Sequence, residues 1–430
     1  MPFRIGLSGL QAAAADLEVT GNNIANVATV GFKESRAEFA NVYSEAYAYI
    51  NKISIGSGVR LAAVTQQFSQ GNLEYTQNAL DLGINGQGFF VVEDADGLFY
   101  TRNGAFQVDR NGYVVNSQGQ RLQVFPPNIG NVGVIETTFN TGRLEDIQLD
   151  FGDISPKGTT QVNAQINLRS DATQPIDQNG EVIEFNMNNP DSYNYSTSVT
   201  VYDSLGTPRV LTLYFVKGEE PLNWTAYASL DGSEPIQFDM TFDSNGNLSS
   251  TGLVELTFDM TAIDPNNGAT IGPIDPNANP PVGTNVVTLN ISSMTQYGTQ
   301  YSVSDLTQDG YTTGRLSNFD VDQNGIVYAR YTNGQSQILG QVALANFKNP
   351  QGLLQVGDNN WAATLAAGDP VYNAPGHSSL GLIQSGALEA SNVDLTEELV
   401  NLITAQRNFQ ANAQTISTAD QITQTIINLR

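Results

Sequence analysis

The chain contains one histidine and no cysteine. His377 sits in Pro375-Gly376-His377-Ser378-Ser379, and with acids abundant a Ser–His–acid triad could be assembled around it. No Gly-x-Ser-x-Gly elbow precedes it, and its neighbours read as a solvated loop, so no catalytic role is assigned. Asp320-Val321-Asp322-Gln323-Asn324-Gly325 matches the first half of an EF-hand calcium loop. The twelfth position, which requires a bidentate glutamate, holds Tyr331, and residues 326–331 alternate like a strand; a hairpin turn is expected instead. Asp109 and Asn111 before Gly112 are read the same way. Gly83-Ile84-Asn85-Gly86-Gln87-Gly88 lacks the Lys-Ser/Thr of a phosphate loop and misses the dinucleotide spacing, so it reads as a tight turn before Phe89. The absence of cysteine removes disulfides, thiolate nucleophiles, zinc–thiolate sites and iron–sulfur clusters. Nothing marks one carboxylate pair out among 43 acids for glycosidase work. No catalytic residue, cofactor or metal is expected.

Composition narrows the partners. With 43 acidic against 18 basic residues, the net charge of −25 repels phosphate backbones and anionic headgroups, which argues against nucleic acid and membrane docking. Such charge also suits an extracellular or salt-tolerant protein. No run of about 18 apolar residues is present, so no membrane insertion is expected. Arg4 is the one early positive charge, and Ser8, Gln11 and Asp16 break the following apolar stretch. That is not the pattern of a cleaved secretory signal, so if the protein leaves the cell it is expected to do so by a route that uses none.

The elements that must carry any function are of two kinds. Near the N-terminus, Leu7, Leu10, Ala14, Leu17, Gly21 and Ile24 alternate by three and four, predicting a heptad seam on a helix of about 25 residues. Gly21 costs about 1 kcal/mol there relative to alanine. The C-terminal seam runs Leu395, Leu399, Leu402, Gln406, Phe409, Ala413, Ile416, Asp420, Thr423 and Ile427, widened by Val400, Ile403, Ile422, Ile426 and Leu429. Asp394 and Glu397 read as a cap and its capping-box partner, with Glu397 and Glu398 at the positive end of the helix dipole and Arg430 at the negative end. At 1.5 Å per residue, a helix of about 35 residues is about 50 Å long. A private coiled coil within the monomer is one reading of these seams; the C-terminal apolar face is too wide for one partner helix, and polar seam residues can fix register in a larger assembly, so packing between copies is expected. Without those partners the termini should be largely disordered in dilute monomer. Between the helices, Asn85-Gly86, Asp96-Gly97, Asn103-Gly104, Asn111-Gly112, Asn179-Gly180, Asn245-Gly246, Asn324-Gly325 and Asn333-Gly334 punctuate alternating runs, as hairpins do. Residues 264–285 read as a long loop. The expected class is α+β multidomain: a helical coiled-coil domain from both chain ends, plus two nested, mainly β domains.

The end segments are also familiar. Leu17-Glu18-Val19-Thr20-Gly21-Asn22-Asn23-Ile24-Ala25-Asn26, with Thr29-Val30-Gly31-Phe32-Lys33, resembles the N-terminal signature of the flagellar rod and hook family. Ser391-Asn392-Val393-Asp394-Leu395, Glu398-Leu399-Val400 and Ala405-Gln406-Arg407-Asn408-Phe409-Gln410-Ala411-Asn412 resemble its C-terminal signature. The signature positions are Asn22, Asn23, Ala25, Asn26, Gly31, Phe32, Asn392, Asp394, Gln406 and Arg407. Residues 199–206 and 214–217 look like the outer domain of hook members, and 339–347 and 357–364 like their returning inner domain. Rod members are shorter and lack such an insert.

The resemblance implies a subunit that polymerises into the flagellar hook, a curved tube transmitting motor torque to the filament. It implies a homopolymer outside the cell, export unfolded through the flagellar type III apparatus, and growth beneath a hook cap. Distal rod and hook–filament junction proteins would be its neighbours. It further implies a tube-forming domain from 1–70 and 367–430, an inner β domain from 71–154 and 291–366, and an inserted outer β domain from 155–290. A distal rod or junction protein is the nearest competing reading, and a secreted β-rich hydrolase is the competitor from another class.

Overall fold

The computed structural model describes residues 2–42, 56–129, 135–149, 152–178, 180–275 and 282–428. Expectations for Asn179, Leu429 and Arg430, and for the Ile426 side chain, lie outside the described residues. The chain is mostly β, with a helix at each end, Pro2–Ala25 and Leu395–Asn428, and a short one at Met260–Ile263. Asp394 caps the C-terminal helix, its carboxylate accepting from the Thr396 and Glu397 N–H groups at 2.8 and 3.3 Å. At the other end the Asn26 amide turns back on the Asn22 carbonyl at 2.9 Å, and the chain leaves through Gly31 at φ +70°.

Two compact units divide the chain. The first combines Met1–Asp150, Asn318–Arg330 and Ser336–Arg430. Its sheet is organised on Phe89–Asp94, which pairs with Gly97–Thr101, Arg121–Phe125 and Leu344–Asn346. Phe89 and Val91 pack with Tyr100, Phe347 and Trp361, while Phe90 and Val92 pack with Leu122, Val124 and Leu344. A strand buried on both faces explains the unbroken run Phe89-Phe90-Val91-Val92. Each such side chain contributes roughly 1.5–3 kcal/mol on burial. The C-terminal third returns here: Leu382–Ser385 pairs with Leu82–Asn85, and Ala387–Glu389 with Leu73–Tyr75.

The second unit comprises Phe151–Ser317 and Tyr331–Gln335. A four-stranded meander runs through Tyr195–Tyr202, Pro208–Lys217, Asn223–Leu230 and Ile236–Thr241. It shares one core with a five-stranded sheet, joining Leu211, Leu213, Phe215 and Trp224 to Val162, Ile166, Leu168, Val287 and Leu289. The expected boundary at 290 is too early. Thr295–Tyr297 pairs parallel, and Ser302–Gln308 antiparallel, with Gln161–Arg169, so this unit continues to Ser317. Nor is 264–285 wholly a loop, since Ile274–Asp275 pairs with Val282–Gly283.

One turn recurs. Asp109, Asp203 and Asp243 each accept backbone N–H bonds from the residues two and four positions on, at 2.8–3.0 Å. The glycine at the fourth position (Gly112, Gly206 or Gly246) has φ of +87°, +80° or +81°. The N–H groups of Asn247 and Asn245 hold the Asp243 carboxyl below the usual aspartate range. A depressed carboxyl contributes stability above its unfolded value and loses it as pH falls. We expect an NMR titration to place Asp243 below exposed aspartates of the same chain; an equal or higher midpoint would contradict this turn.

Candidate assembly interface

The terminal helices pack antiparallel: Gly6 lies against Ile416, Gly9 against Asn412, and Asn23 reaches Glu398. The N-terminal face used is Gly6, Gly9, Ala13, Thr20 and Asn23, made of small and polar residues. A Cβ at Gly9 would stand 2.4 Å from Asn412 Oδ1, so glycine permits this close approach. The predicted seam lies one residue on, rotated by about 100° around a 3.6-residue helix. Leu7 is 49% exposed, and Leu10, Ala14, Leu17 and Ile24 are only partly covered. Along the C-terminal helix Glu398, Ala405 and Ala419 are buried, and Leu402, Phe409, Ala413 and Ile416 are partly covered. Leu395, Leu399, Val400, Ile403, Ile422 and Ile427 face solvent. Gln406 and Arg407 are exposed as well.

Beside the helices, Ser35–Asn41 and Val59–Gln66 form a hairpin. A cleft of about 480 Å³ opens between Ile5, Ala13, Phe39, Val59 and Asn412. A second cleft gathers Asp16, Glu34, Glu397 and Glu398. Burial pushes the Asp16 carboxyl up, and burial with the Glu398 and Glu397 charges pushes Glu34 up.

The signature residues build the junction below the helices. Asn23 exchanges two hydrogen bonds with Ser35, at 2.8 and 2.9 Å. Asn392 accepts from the Glu34 N–H and donates to the Gln67 carbonyl and Ser69 Oγ, each at 2.8 Å. Gly31 donates to the Glu389 carbonyl at 2.8 Å, and a Cβ there would meet the Asn103 nitrogen at 2.6 Å. Phe32 is buried. Asn22 and Asn26 bond to each other at the helix end, and Ala25 is exposed.

At the centre of this junction lies a charge cluster that the sequence did not single out. Glu389, with no exposed side-chain surface, takes Lys33 Nζ on one carboxylate oxygen at 2.6 Å and Arg102 on the other at 3.0 Å. The Gly71 N–H adds a third bond at 2.9 Å. Lys33 also donates to the Ser69 carbonyl at 2.6 Å, and Arg102 to the Gly86 carbonyl at 3.0 Å. Burial pushes the Lys33 ammonium down, Glu389 pulls it back, and the Arg102 charge adds to the lowering. Lys33 stood at the edge of the N-terminal signature; Glu389 and Arg102 carried no local mark.

Asp322 accepts from the Ile326 N–H at 2.8 Å and Asp320 pairs with Arg330 at 2.7 Å, so the calcium-like sequence folds as a hairpin. Among the described residues no cluster of three acidic or histidine side chains is placed to hold a metal. Among them, too, no helix is long and apolar enough to cross a membrane.

The described residues thus form paired terminal helices, an anchored junction and β units. Comparison with known proteins gives the class, a structural protein. Family profiles match along the chain: flagella basal body rod protein at 3–33, flagellar hook protein FlgE/F/G D1 domain at 83–184, flagellar basal body protein FlaE D2 domain at 167–311, and flagellar basal body rod FlgEFG protein C-terminal at 384–429. The chain is 40% identical to the flagellar hook protein FlgE of Escherichia coli (strain K12), with all of both chains covered. It is 39% identical to that of Salmonella typhimurium (strain LT2), again over both full lengths. With that of Borreliella burgdorferi it shares 35% identity over 99% of this chain and 98% of the relative. A crystal structure of Helicobacter pylori flagellar hook protein FlgE2 covers 74% of this chain and 100% of its own, with TM-score 0.53 at 15% identity, a likeness of fold. The chain belongs to the flagellar hook protein family. It is a structural component of the bacterial flagellar hook and not an enzyme.

Proposed function

We propose that copies of this chain join through the helix faces that the intramolecular pair leaves open. Leu7, Leu10, Ala14, Leu17 and Ile24, with Leu395, Leu399, Leu402, Phe409, Ala413 and Ile427, meet their counterparts on neighbouring subunits and line the wall of a tube, while Ile416, also expected in the seam, packs on Gly6 of its own chain. The carrying observation is that the N-terminal apolar seam lies beside the internal helix contact instead of inside it, and that Leu395, Leu399 and Ile427 on the other helix stay exposed. Small residues bring the two helices of one subunit together, which reserves the larger side chains for neighbours. An interface of that kind gains roughly 25 cal/mol for each Å² of apolar surface removed from water, repeated in every subunit.

In this arrangement the segments 28–70 and 367–390 connect the helical wall to the first β unit, and the insert that begins near 155 forms the outer layer. The finished tube is the flexible joint that carries motor torque to the filament. Its neighbours are the hook cap, the distal rod and the hook–filament junction proteins. Delivery is through the flagellar type III apparatus. Deletion of 395–430 removes the helix but keeps Glu389. We expect the truncated chain to retain folded β units, measured by hydrogen exchange, and to form no tubes under electron microscopy. Tube formation by that variant would overturn the proposal.

A further inference from the structure

The first β unit displays an apolar group that none of its described residues covers. Among the described residues Leu354–Gly357 is the terminal strand of its sheet, paired on one side only, with Asn360–Ala362. Every residue of that strand is exposed, including Leu354 at 58% and Val356 at 47%. Next to it, Leu365 is 104% exposed, as open as in a free peptide. The turn that presents it is tied down on both sides. Thr364 Oγ1 donates to the Gly352 carbonyl, the Ala366 and Ala367 N–H groups donate to Thr364 Oγ1, and Asn349 donates to the Ala366 carbonyl at 3.0 Å. Ala367 beneath it is buried in the Phe89–Trp361 core. A fixed turn that holds a leucine in water loses little conformational entropy when the leucine is covered.

We propose that Leu354, Val356 and Leu365 form a contact that seats against a second copy of this chain, distinct from the helix interface. Charge selects that occupant. Copies carrying −25 each repel one another, so they can meet closely only where charge is sparse. Residues 349–368 contain a single charged side chain, Asp358. An unpaired, hydrophobic edge strand is also a hazard for uncontrolled pairing unless something covers it. In a polymer, the neighbouring subunit supplies that cover. This inference rests on the proposed polymer and adds to it a fixed contact outside the helical wall.

The lack of native cysteine allows a clean test. Full-length Leu365→Cys and Leu399→Cys chains are each labelled with a maleimide as monomer and as isolated tubes. Leu365→Cys is expected to react rapidly in the monomer and at least tenfold more slowly in tubes. Protection of Leu399→Cys in the same tubes reports the helix interface separately. If Leu399→Cys is protected and Leu365→Cys is labelled equally in both states, the β-unit contact is overturned while the polymer stands. If tubes leave both positions reactive, the helix interface fails as well. Slow labelling of Leu365→Cys in the monomer would also refute the proposal, because the leucine would then be covered within its own chain. A Leu365→Asp chain supplies the second measurement: unchanged thermal unfolding as monomer, with tube yield reduced severalfold. Undiminished yield would contradict the contact.

Discussion

Replacing Glu389 by glutamine is expected to produce the largest loss of stability of any single change in the first β unit. The substitution keeps the shape and leaves Lys33 and Arg102 buried beside a neutral amide. Removing one partner from a buried ion pair costs about 3–5 kcal/mol, because an uncompensated charge remains in a low-dielectric site. The cost falls on contacts between distant parts of the chain, since Glu389 also pairs in the strand with Leu73 and its carbonyl holds Gly31. Hydrogen exchange should therefore show faster opening at 31–35, 69–75 and 385–393, with the core around Leu211, Phe215 and Leu289 of the second unit unaffected. Lys33→Met in the same background should recover part of the loss by removing one unpaired cation. If Glu389→Gln unfolds at the same temperature as the parent chain, the cluster is not what fastens the chain ends to the sheet.

Leu399→Glu should have the opposite profile. Its side chain is 44% exposed, so the monomer should unfold within about 0.5 kcal/mol of the parent, as surface substitutions usually do. In the assembled wall the same carboxylate must be buried against apolar neighbours, or the contact must open. An unpaired buried charge costs several kcal/mol even after relaxation, and the cost repeats at every subunit. Sedimentation and electron microscopy should find soluble monomer and no tubes. Leu7→Glu should behave likewise. Normal tubes from either variant would show that these residues face the lumen or solvent.

The contrast between these two substitutions reflects what a linear sequence can carry. Both helices were legible because leucine and isoleucine repeat at the spacing of a helix face, and Asp394 marked the start of the second. The internal contact was not legible. It is made by Gly6, Gly9, Ala13, Thr20 and Asn23, residues that add little to a hydrophobic pattern yet allow close approach. The turns were readable from Asn-Gly and Asp-Gly pairs, although the fold adds the carboxylate that closes several of them. The end of the second unit was misplaced because Ser302–Gln308 alternates like any strand, and only its pairing with a strand some 140 residues earlier assigns it. Glu389 was hidden for a similar reason. One acid among 43 becomes distinctive only when Lys33 and Arg102 arrive from remote positions.

The central claim is that the open seams, not the internal helix pair, join one subunit to the next. A cryo-EM reconstruction of tubes grown from the full-length chain tests it most directly. Leu7, Leu10 and Leu17, with Leu395, Leu399 and Ile427, should lie within van der Waals distance of residues from neighbouring subunits around a central channel. Gly9 should still face Asn412 of its own chain. A map in which those leucines face solvent or the lumen, with subunits joined only through their β units, would contradict the account.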